Sequence, residues 1–359
     1  MTHKTLGILG GGQLGRMSAQ AAEKLGIQTV IFTPEPDSPA SQVAQETIVA
    51  NYTDEDALSV FSEKVDVISY EFENIPVETI KYLKTLKPVY PDERLLEVAQ
   101  DRVKEKSFLN SIKIDTARWA TPETPADIEK TLTEWGAASC ILKTTRFGYD
   151  GKGQWRVSNT SEIETVWIEI DNQPVIMEEI VDFDFEISVI VARDKDGHME
   201  FYGPALNTHK NHILHKSTVP APVSSALADK ALQMTGTLAR SVDLRGVLAL
   251  ELFVTKDGTL LANEIAPRTH NSGHWSIDSC AVSQFENHVR AVCGLPVLPP
   301  GRHSDCEMIN LIGEDINHLE SYRRDKNACI HLYGKHDVKP GRKMGHVTIL
   351  KEKNDVRKG

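Results

Sequence analysis

One hairpin constrains the fold of this chain more tightly than any other feature. Two apolar runs, Val247 to Val254 and Thr259 to Ile265, flank Lys256-Asp-Gly258. Asp-Gly is a favoured centre for a tight type I′ turn. With Asp257 and Gly258 as a two-residue loop, Lys256 faces Thr259, Val254 faces Leu261, and Glu251 faces Glu264. Two carboxylates are thereby predicted opposite each other on one face of a sheet whose other positions are mostly apolar. Like charges so placed destabilise a sheet unless something compensates. A divalent cation held by carboxylate oxygens is the natural compensator, Mg²⁺ being favoured where phosphates complete its shell. The plainer alternatives are two solvated glutamates at an edge, or a pair with one raised pKa.

A second strand–turn–strand pattern runs from Ser139 to Val157, with Gly148, Gly151 and Gly153 at its tip. It has no Gly-Lys-Ser/Thr opening a helix, so it is not a Walker loop. Closely spaced glycines let backbone N–H groups approach an anion, and Lys143 on the leading strand adds a positive charge. Taken alone, most such segments are ordinary glycine-rich hairpin turns. Near the N-terminus, Gly10-Gly-Gly-Gln-Leu-Gly15 matches the G-x-G-x-x-G of nicotinamide dinucleotide sites. Glu35, the acidic candidate after the second strand, lies between Pro34 and Pro36 and makes an unconvincing ribose clamp. What survives is a phosphate seat at a helix N-terminus.

At 359 residues the chain is long enough for two or three domains. Strands at Thr5–Leu9, Gln28–Phe32, Asp66–Tyr70 and Pro88–Tyr90 alternate with helices at Gln13–Leu25 and Val77–Lys84, which predicts a parallel sheet covered on both faces. A helix from Asp92 to about Asn110 leads out of this unit, and after Met177 the pattern turns strand-rich. The expected division is 1–100, 101–177 and 178–359, with a small β-rich piece from about 301. Composition is that of an ordinary soluble protein, and a net charge of −11 argues against a nucleic-acid binder. The chain shows no signal peptide and no apolar stretch of membrane-spanning length. Five cysteines without C-x-x-C spacing suggest neither a disulfide framework nor zinc, and fit a reducing cytoplasm.

Directly after Glu264 comes Ala266-Pro-Arg-Thr-His-Asn-Ser-Gly-His-Trp275, where Arg268, His270, Asn271, Ser272 and His274 offer donors to a charged substrate. A solvated loop is the plain alternative. His209, His212 and His215 are spaced so that a metal cluster is a fair rival reading.

Together with Tyr70-Glu-Phe-Glu-Asn-Ile75, Asp101-Arg102, Ser283-Gln-Phe-Glu286, Met308-Ile-Asn-Leu-Ile-Gly313 and Pro340-Gly-Arg-Lys-Met-Gly-His346, these segments resemble the ATP-grasp ligases. The closest resemblance is to the branch that carboxylates 5-aminoimidazole ribonucleotide in purine biosynthesis. It implies a mixed α/β and α+β, three-part ATP-grasp architecture: an N-terminal Rossmann-like parallel-sheet domain, a small central lid domain and a larger C-terminal domain. It also implies carboxylation driven by ATP and bicarbonate through carboxyphosphate, with Mg²⁺ or Mn²⁺, in a cytoplasmic homodimer. On the nucleotide side the resemblance places Arg102 and Lys143 at phosphate, and Gly148, Tyr149, Asp150, Gly151, Lys152, Gly153 and Gln154 as a covering hairpin. Glu178, Glu179, Ile180 and Val181 would line the adenine through backbone groups, Glu186 would take the ribose hydroxyls, and His209 and Asn263 would also face the nucleotide. Glu251 and Glu264 would hold the metal. On the substrate side stand Gly12, Gln13, Leu14, Glu73 (or Glu71), Tyr149, Arg268, His270, Asn271, Ser272, Lys335 and Arg342. Asp150, Arg268, His270, Lys335 and Arg342 would serve the chemistry. The rivals are a sister ATP-grasp ligase acting on a different carboxylate or nucleotide, a nicotinamide oxidoreductase, and a nucleotide sensor without catalysis.

Overall fold

A computed structural model describes residues 4–148, 153–171 and 173–353. Strands β1 (Thr5–Leu9), β2 (Gln28–Thr33), β3 (Glu46–Val49) and β4 (Val67–Tyr70) form a wholly parallel sheet in the order β3-β2-β1-β4. The predicted strand at Pro88–Tyr90 reduces to a single parallel bridge between Ile68 and Val89. Helix α1 (Gln13–Lys24) follows β1 at once, and its N-terminal residue Gly12 brings no side-chain cap. The cap comes instead from the end of β4, where Glu71 accepts from the N–H groups of Gly12 (2.5 Å) and Gly15 (2.9 Å). Helix ends left without such partners expose orphan N–H groups, so this distant carboxylate does the work of a local Ser or Asp.

The single helix expected from Asp92 to Asn110 is two helices, Glu93–Ala99 and Arg102–Ser111. Asp101 breaks them apart: its side chain accepts from the N–H groups of Val103 and Lys104 and starts the second helix as an N-cap. A small antiparallel sheet follows, built from β5 (Trp119–Ala120), β6 (Cys140–Thr144), β7 (Gln154–Val157) and β8 (Val175–Glu179) in the order β5-β8-β6-β7. Its β6–β7 pair is the glycine-tipped hairpin, with Lys143 opposite Gln154. Gly153 sits at φ +67°, and a Cβ there would lie 2.6 Å from Thr144 Oγ1, so a side chain is excluded twice over.

The largest sheet has eight strands: β9 (Phe183–Arg193), β10 (Met199–Lys210), β11 (Ile213–Val219), β12 (Gly246–Thr255), β13 (Leu260–Ala266), β14 (Asp305–Ile312), β15 (Ala328–Leu332) and β16 (Lys343–Lys351). Their order is β13-β12-β9-β10-β11-β14-β16-β15, so the terminal strands continue the sheet. Two helices interrupt a stretch expected to be mainly strand. Ser225–Ser241 packs Leu238 and Ala239 against Val189, Leu248 and Leu250. Gln284–Val292 packs Phe285, Val289 and Val292 against Leu14, Met17 and Ala21 of α1, joining the parallel-sheet unit to the large sheet.

The β12–β13 hairpin departs from the expected register in two places. Its loop has three residues, Lys256-Asp257-Gly258, closed by Thr255 N–H to Thr259 O at 3.0 Å, with Gly258 at φ +80°. Val254 therefore faces Leu260 and not Leu261. A register shift between Leu250 and Leu252 then adds one residue on β13, so that Leu250 faces Ile265. Glu251 therefore lies at the shift, opposite the Asn263–Glu264 stretch, and not in the direct pair with Glu264 that the two-residue loop predicts. The outer edge of β13 is also occupied. Ala262 N–H donates to Asp115 O (2.7 Å), Ile265 N–H to Glu105 Oε1 (2.6 Å), and Lys106 Nζ to Asn263 O (2.9 Å).

Candidate active site

A cleft of about 640 Å³ opens between the three sheets. Its lining brings together Gly12, Gln13, Leu14 and Glu73 from the parallel-sheet unit, Arg102, Lys143, Gly148 and Gln154 around the hairpin, and Glu186, His209, Glu251, Asn263, Glu264, Arg268, His270 and Asn271 from the large sheet. Tyr149, Asp150, Gly151 and Lys152 lie outside the described residues.

At the hairpin end, the Arg102 guanidinium donates to Thr144 O and Gly148 O, both at 3.1 Å, and braces the approach to the tip. Lys143 extends from β6 to a 2.9 Å ion pair with Glu178 of β8. Lys106 approaches the same carboxylate oxygen at 3.6 Å, and all three side chains are largely withdrawn from solvent. Burial alone would raise the Glu178 pKa, but Lys143 and Lys106 outweigh it and hold the group below its ordinary value. Glu178 thus reaches the two lysines through its side chain as well as presenting a backbone edge. Glu179 turns outward to Arg118 at 2.5 Å, and Ile180 and Val181 form the half-buried link to β9. Phe183 and Phe253, stacked at 4.6 Å, add an apolar wall that sequence reasoning missed. Lys106 was missed too, although it stands four residues after Arg102 and so on the same helix face.

The middle of the cleft is acidic. Glu186, His209 and Glu251 each bring one donor atom within 4.8 Å of the others, and Glu264 stands exposed beside them. Burial, followed by the charge of Glu264, pushes Glu186 up to about 7. Glu251 is raised further above the carboxylate range by burial and by Glu264 and Glu186. Burial and like charge here outweigh the nearby cations Lys143, Lys343 and Arg268, and oxygen donors of this kind suit a hard divalent cation. His212 reaches the cleft; His215 is not among its lining residues.

At the substrate end, the N–H groups of Gly12 and Gly15 are already bound to Glu71. A Cβ on Gly12 would lie 2.5 Å from that carboxylate and one on Gly10 would lie 2.3 Å from its Cγ, which explains both glycines. The G-x-G-x-x-G run is therefore a carboxylate cradle, with Gln13 and Leu14 left facing the cleft. Burial raises Glu71, and its two backbone donors oppose that rise. Glu73 pairs with Arg268 at 2.5 Å; burial would raise its pKa, but Arg268 overrides this and holds it down to about 2. Burial, then Arg268 and Lys343, press His270 down to about 3, so the ring is neutral near pH 7. Ser188 donates to Ser272 Oγ at 2.7 Å, and Ser272 Oγ lies 2.8 Å from His270 Nδ1. This relay points the Ser272 hydroxyl at Nδ1, which leaves Nε2 of His270 as the N–H, 3.5 Å from Glu251. Ser272 is fully buried behind His270 and is absent from the cleft lining. Both amide atoms of Asn271 are buried with no hydrogen-bond partner among the described residues, although the residue lines the cleft. Such an orphaned amide marks a place for a ligand group.

Lys335 and Arg342 are not in the cleft lining. Burial and then Arg342 lower Lys335 to about 8, while the Glu71 carboxylate pulls it back up. Its loop is fastened to the parallel-sheet unit by His336 to Asp37 (2.7 Å) and by Gln42 Nε2 to Gly334 O (2.9 Å). Lys343 is the terminal-segment cation that does line the cleft, and sequence reasoning passed over it.

Three family models match the chain: a ribonucleotide synthetase preATP-grasp domain over residues 3–100, an ATP-grasp domain over 107–285, and a phosphoribosylaminoimidazole carboxylase C-terminal domain over 306–358. The chain is 48% identical over 349 residues to the N5-carboxyaminoimidazole ribonucleotide synthase of Brucella melitensis, covering 97% of this chain and 96% of that protein. A crystal structure of an N5-carboxyaminoimidazole ribonucleotide synthetase bound to ADP superposes with a TM-score of 0.93 at 38% identity, covering 98% of this chain and 95% of the other. The Aspergillus clavatus synthase, in complex with ADP and 5-aminoimidazole ribonucleotide, superposes at 0.91 with 29% identity, covering 98% and 94%.

Proposed function

The chain belongs to the N5-carboxyaminoimidazole ribonucleotide synthase family of ATP-grasp ligases in purine biosynthesis, and from that premise we propose how its cleft divides the labour. The reaction carboxylates 5-aminoimidazole ribonucleotide at the expense of ATP, with bicarbonate as the carboxyl source. Bicarbonate is too poor an electrophile for a weakly nucleophilic aromatic amine. One of its oxygens therefore attacks the γ-phosphorus of ATP, and ADP leaves. The amine then attacks the carboxyl carbon of the resulting carboxyphosphate; phosphate leaves, and the amine loses a proton.

Arg102, Lys143 and the hairpin N–H groups hold and align the phosphates, since phosphoryl transfer chiefly needs positioning and charge neutralisation. Glu178 holds the Lys143 ammonium, and Lys106 shares that carboxylate so that Lys143 is not its only counter-charge. Glu251 and Glu264, with Asn263 beside them, fit a divalent cation by donor type and by their uncompensated charge. Mg²⁺ or Mn²⁺ bound there would neutralise phosphate oxygens. Glu186 and His209 face the nucleotide sugar. Arg268 and the neutral Nε2–H of His270 orient the bicarbonate-derived carboxyl group, with Arg268 aimed by Glu73. Asn271, Gln13 and Leu14 contact the ribonucleotide, and Lys335 with Arg342 supplies positive charge near its phosphate. Asp150 and Tyr149 reach the aminoimidazole from the hairpin tip, which covers the cleft before carboxyphosphate forms and keeps water from it. We take 1–100, 101–177 and 178–359 as the three working parts, of a cytoplasmic homodimer.

One observation carries this reading: phosphate-binding cations, an uncompensated acid group and the Glu73–Arg268 pair share one continuous cleft. ADP release measured with aminoimidazole ribonucleotide and bicarbonate, each omitted in turn, tests it. The full rate is expected only with both. ADP release at full rate without bicarbonate would overturn the assignment of the carboxyl source.

A further inference from the structure

A second cluster of metal-binding side chains lies outside the cleft. Asp278, on the short Ser276–Ser279 helix, faces His331 of β15 and His346 of β16, and one donor atom from each lies within 4.8 Å of the others. His331 and His346 are paired across the two strands, their rings stacked at 4.6 Å with 13° between planes. We propose that Asp278, His331 and His346 bind a transition metal of the Zn²⁺ class, clipping the end of the 266–279 segment to the terminal strands.

The three donor atoms are close enough to converge on one ion. His331 Nε2 lies 2.9 and 3.1 Å from the two oxygens of Asp278. Two ligands each about 2.0–2.1 Å from a tetrahedral ion stand roughly 3.3 Å apart, so little movement is needed. His346 is fully buried, and its Nδ1 is engaged by the Tyr333 hydroxyl at 2.9 Å. That leaves Nε2, which has no partner among the described residues. A ligating histidine characteristically carries such an outer bond on its other nitrogen, which sets the tautomer and aims the ring. A fully buried imidazole nitrogen with no partner is costly unless something occupies the space in front of it.

The donor set also selects the ion. Two imidazoles and one carboxylate suit Zn²⁺ and its neighbours, whereas Mg²⁺ prefers an all-oxygen shell. Cys329, two residues before His331 on the same face of β15, interacts with Asp278 but stands outside the three-ligand group, so a solvent molecule would complete the tetrahedron. Asp278 and His331 keep 14% and 28% of their side chains exposed, so an ion has a way in. None of the three ligands lines the catalytic cleft, and the proposal is independent of the reading given for it.

The full chain, stripped with EDTA and held in excess Mg²⁺ to occupy the cleft carboxylates, is titrated with Zn²⁺ by calorimetry and with Co²⁺ by visible absorption. One Zn²⁺ per chain is expected, together with a Co²⁺ band of imidazole-coordinated type. His331→Ala and Asp278→Asn, at partly exposed positions, should weaken uptake about tenfold or more. Tyr333→Phe, which removes only the hydroxyl that aims His346, should weaken it about 10–100-fold with the fold intact by circular dichroism. No Zn²⁺ uptake, or uptake equal in the wild type, His331→Ala and Tyr333→Phe, overturns the proposal and leaves Asp278 and His331 as a plain ion pair.

Discussion

Arg268 and Glu73 meet from different sheets, Nε to Oε2 at 2.5 Å, at the substrate end of the cleft. The pair couples the loop after β13 to the loop after β4, so it fixes both the Arg268 guanidinium and the distance between two parts of the fold. Removing the acid in Glu73→Ala frees Arg268 to turn away. A hydrogen bond to a charged group is worth about 1.5–3 kcal/mol, so kcat/KM for the ribonucleotide should fall about 10–100-fold. KM for ATP should stay close to wild type. Steady-state kinetics with each substrate varied in turn checks the split.

The same pair carries a pH signature. Glu73 is depressed from an ordinary value of 4.5 to about 2, so its contribution is present above pH 4.5 and is lost as pH falls toward 2. Acid unfolding of Glu73→Gln should lack that component, its stability falling less steeply than wild type in this window.

The acidic middle of the cleft titrates in the opposite sense. Glu186 rises from 4.5 to about 7, so without a divalent ion stability should decline as pH rises from 4.5 to 7. Thermal melts in EDTA at pH 6 and pH 8 are expected to show the lower midpoint at pH 8, a difference that Mg²⁺ reduces. Glu264→Ala should lose Mg²⁺-dependent turnover while melting higher than wild type in EDTA, because it relieves Glu251 and Glu186 of a like charge. A turnover that depends on Mg²⁺ as in wild type would remove Glu264 from the metal site.

Lys106 supports the proposed phosphate site from within, through Glu178 and the Asn263 carbonyl. Removing one member of a buried ion pair costs about 3–5 kcal/mol, because the partner is left uncompensated. Lys143 remains beside Glu178, so Lys106→Met should fall at or below the lower end of that range in urea denaturation. KM for ATP should rise, since Lys143 becomes the sole partner of Glu178.

Asp150→Ala should retain ATP binding, read by calorimetry, while slowing turnover by about 100-fold or more, the scale of a lost proton-transfer group. Near-normal turnover would take Asp150 out of the chemistry.

Much of this architecture was legible in local patterns. The alternation of strand and helix gave the parallel sheet, and the glycine tip gave the hairpin, because periodicity and turn chemistry act over a few residues. The expected Glu251–Glu264 pairing rested on a loop one residue too short, and the shift at Leu250–Leu252 leaves Glu251 without a register partner on β13 although both glutamates line the cleft. Bulges answer to packing across the sheet, which no local pattern carries. Lys106 and Lys343 escaped notice because their roles depend on what long-range folding brings opposite them. Glu71 was weighed only as a substrate ligand, yet it caps a helix 56 residues earlier in the chain. The two helices in the strand-rich half were missed amid β-branched runs whose partners lie far away in sequence.

The outer edge of β13 has a last consequence. Ala262, Asn263 and Ile265 spend their outward backbone groups on Asp115, Lys106 and Glu105. A sheet edge satisfied in this way offers no template for strand addition by another chain. Two copies of this protein would therefore have to meet through side-chain surfaces or another edge. The same stitching binds the helix of Arg102 to the strand of Glu264, so a change at either one is felt at the other.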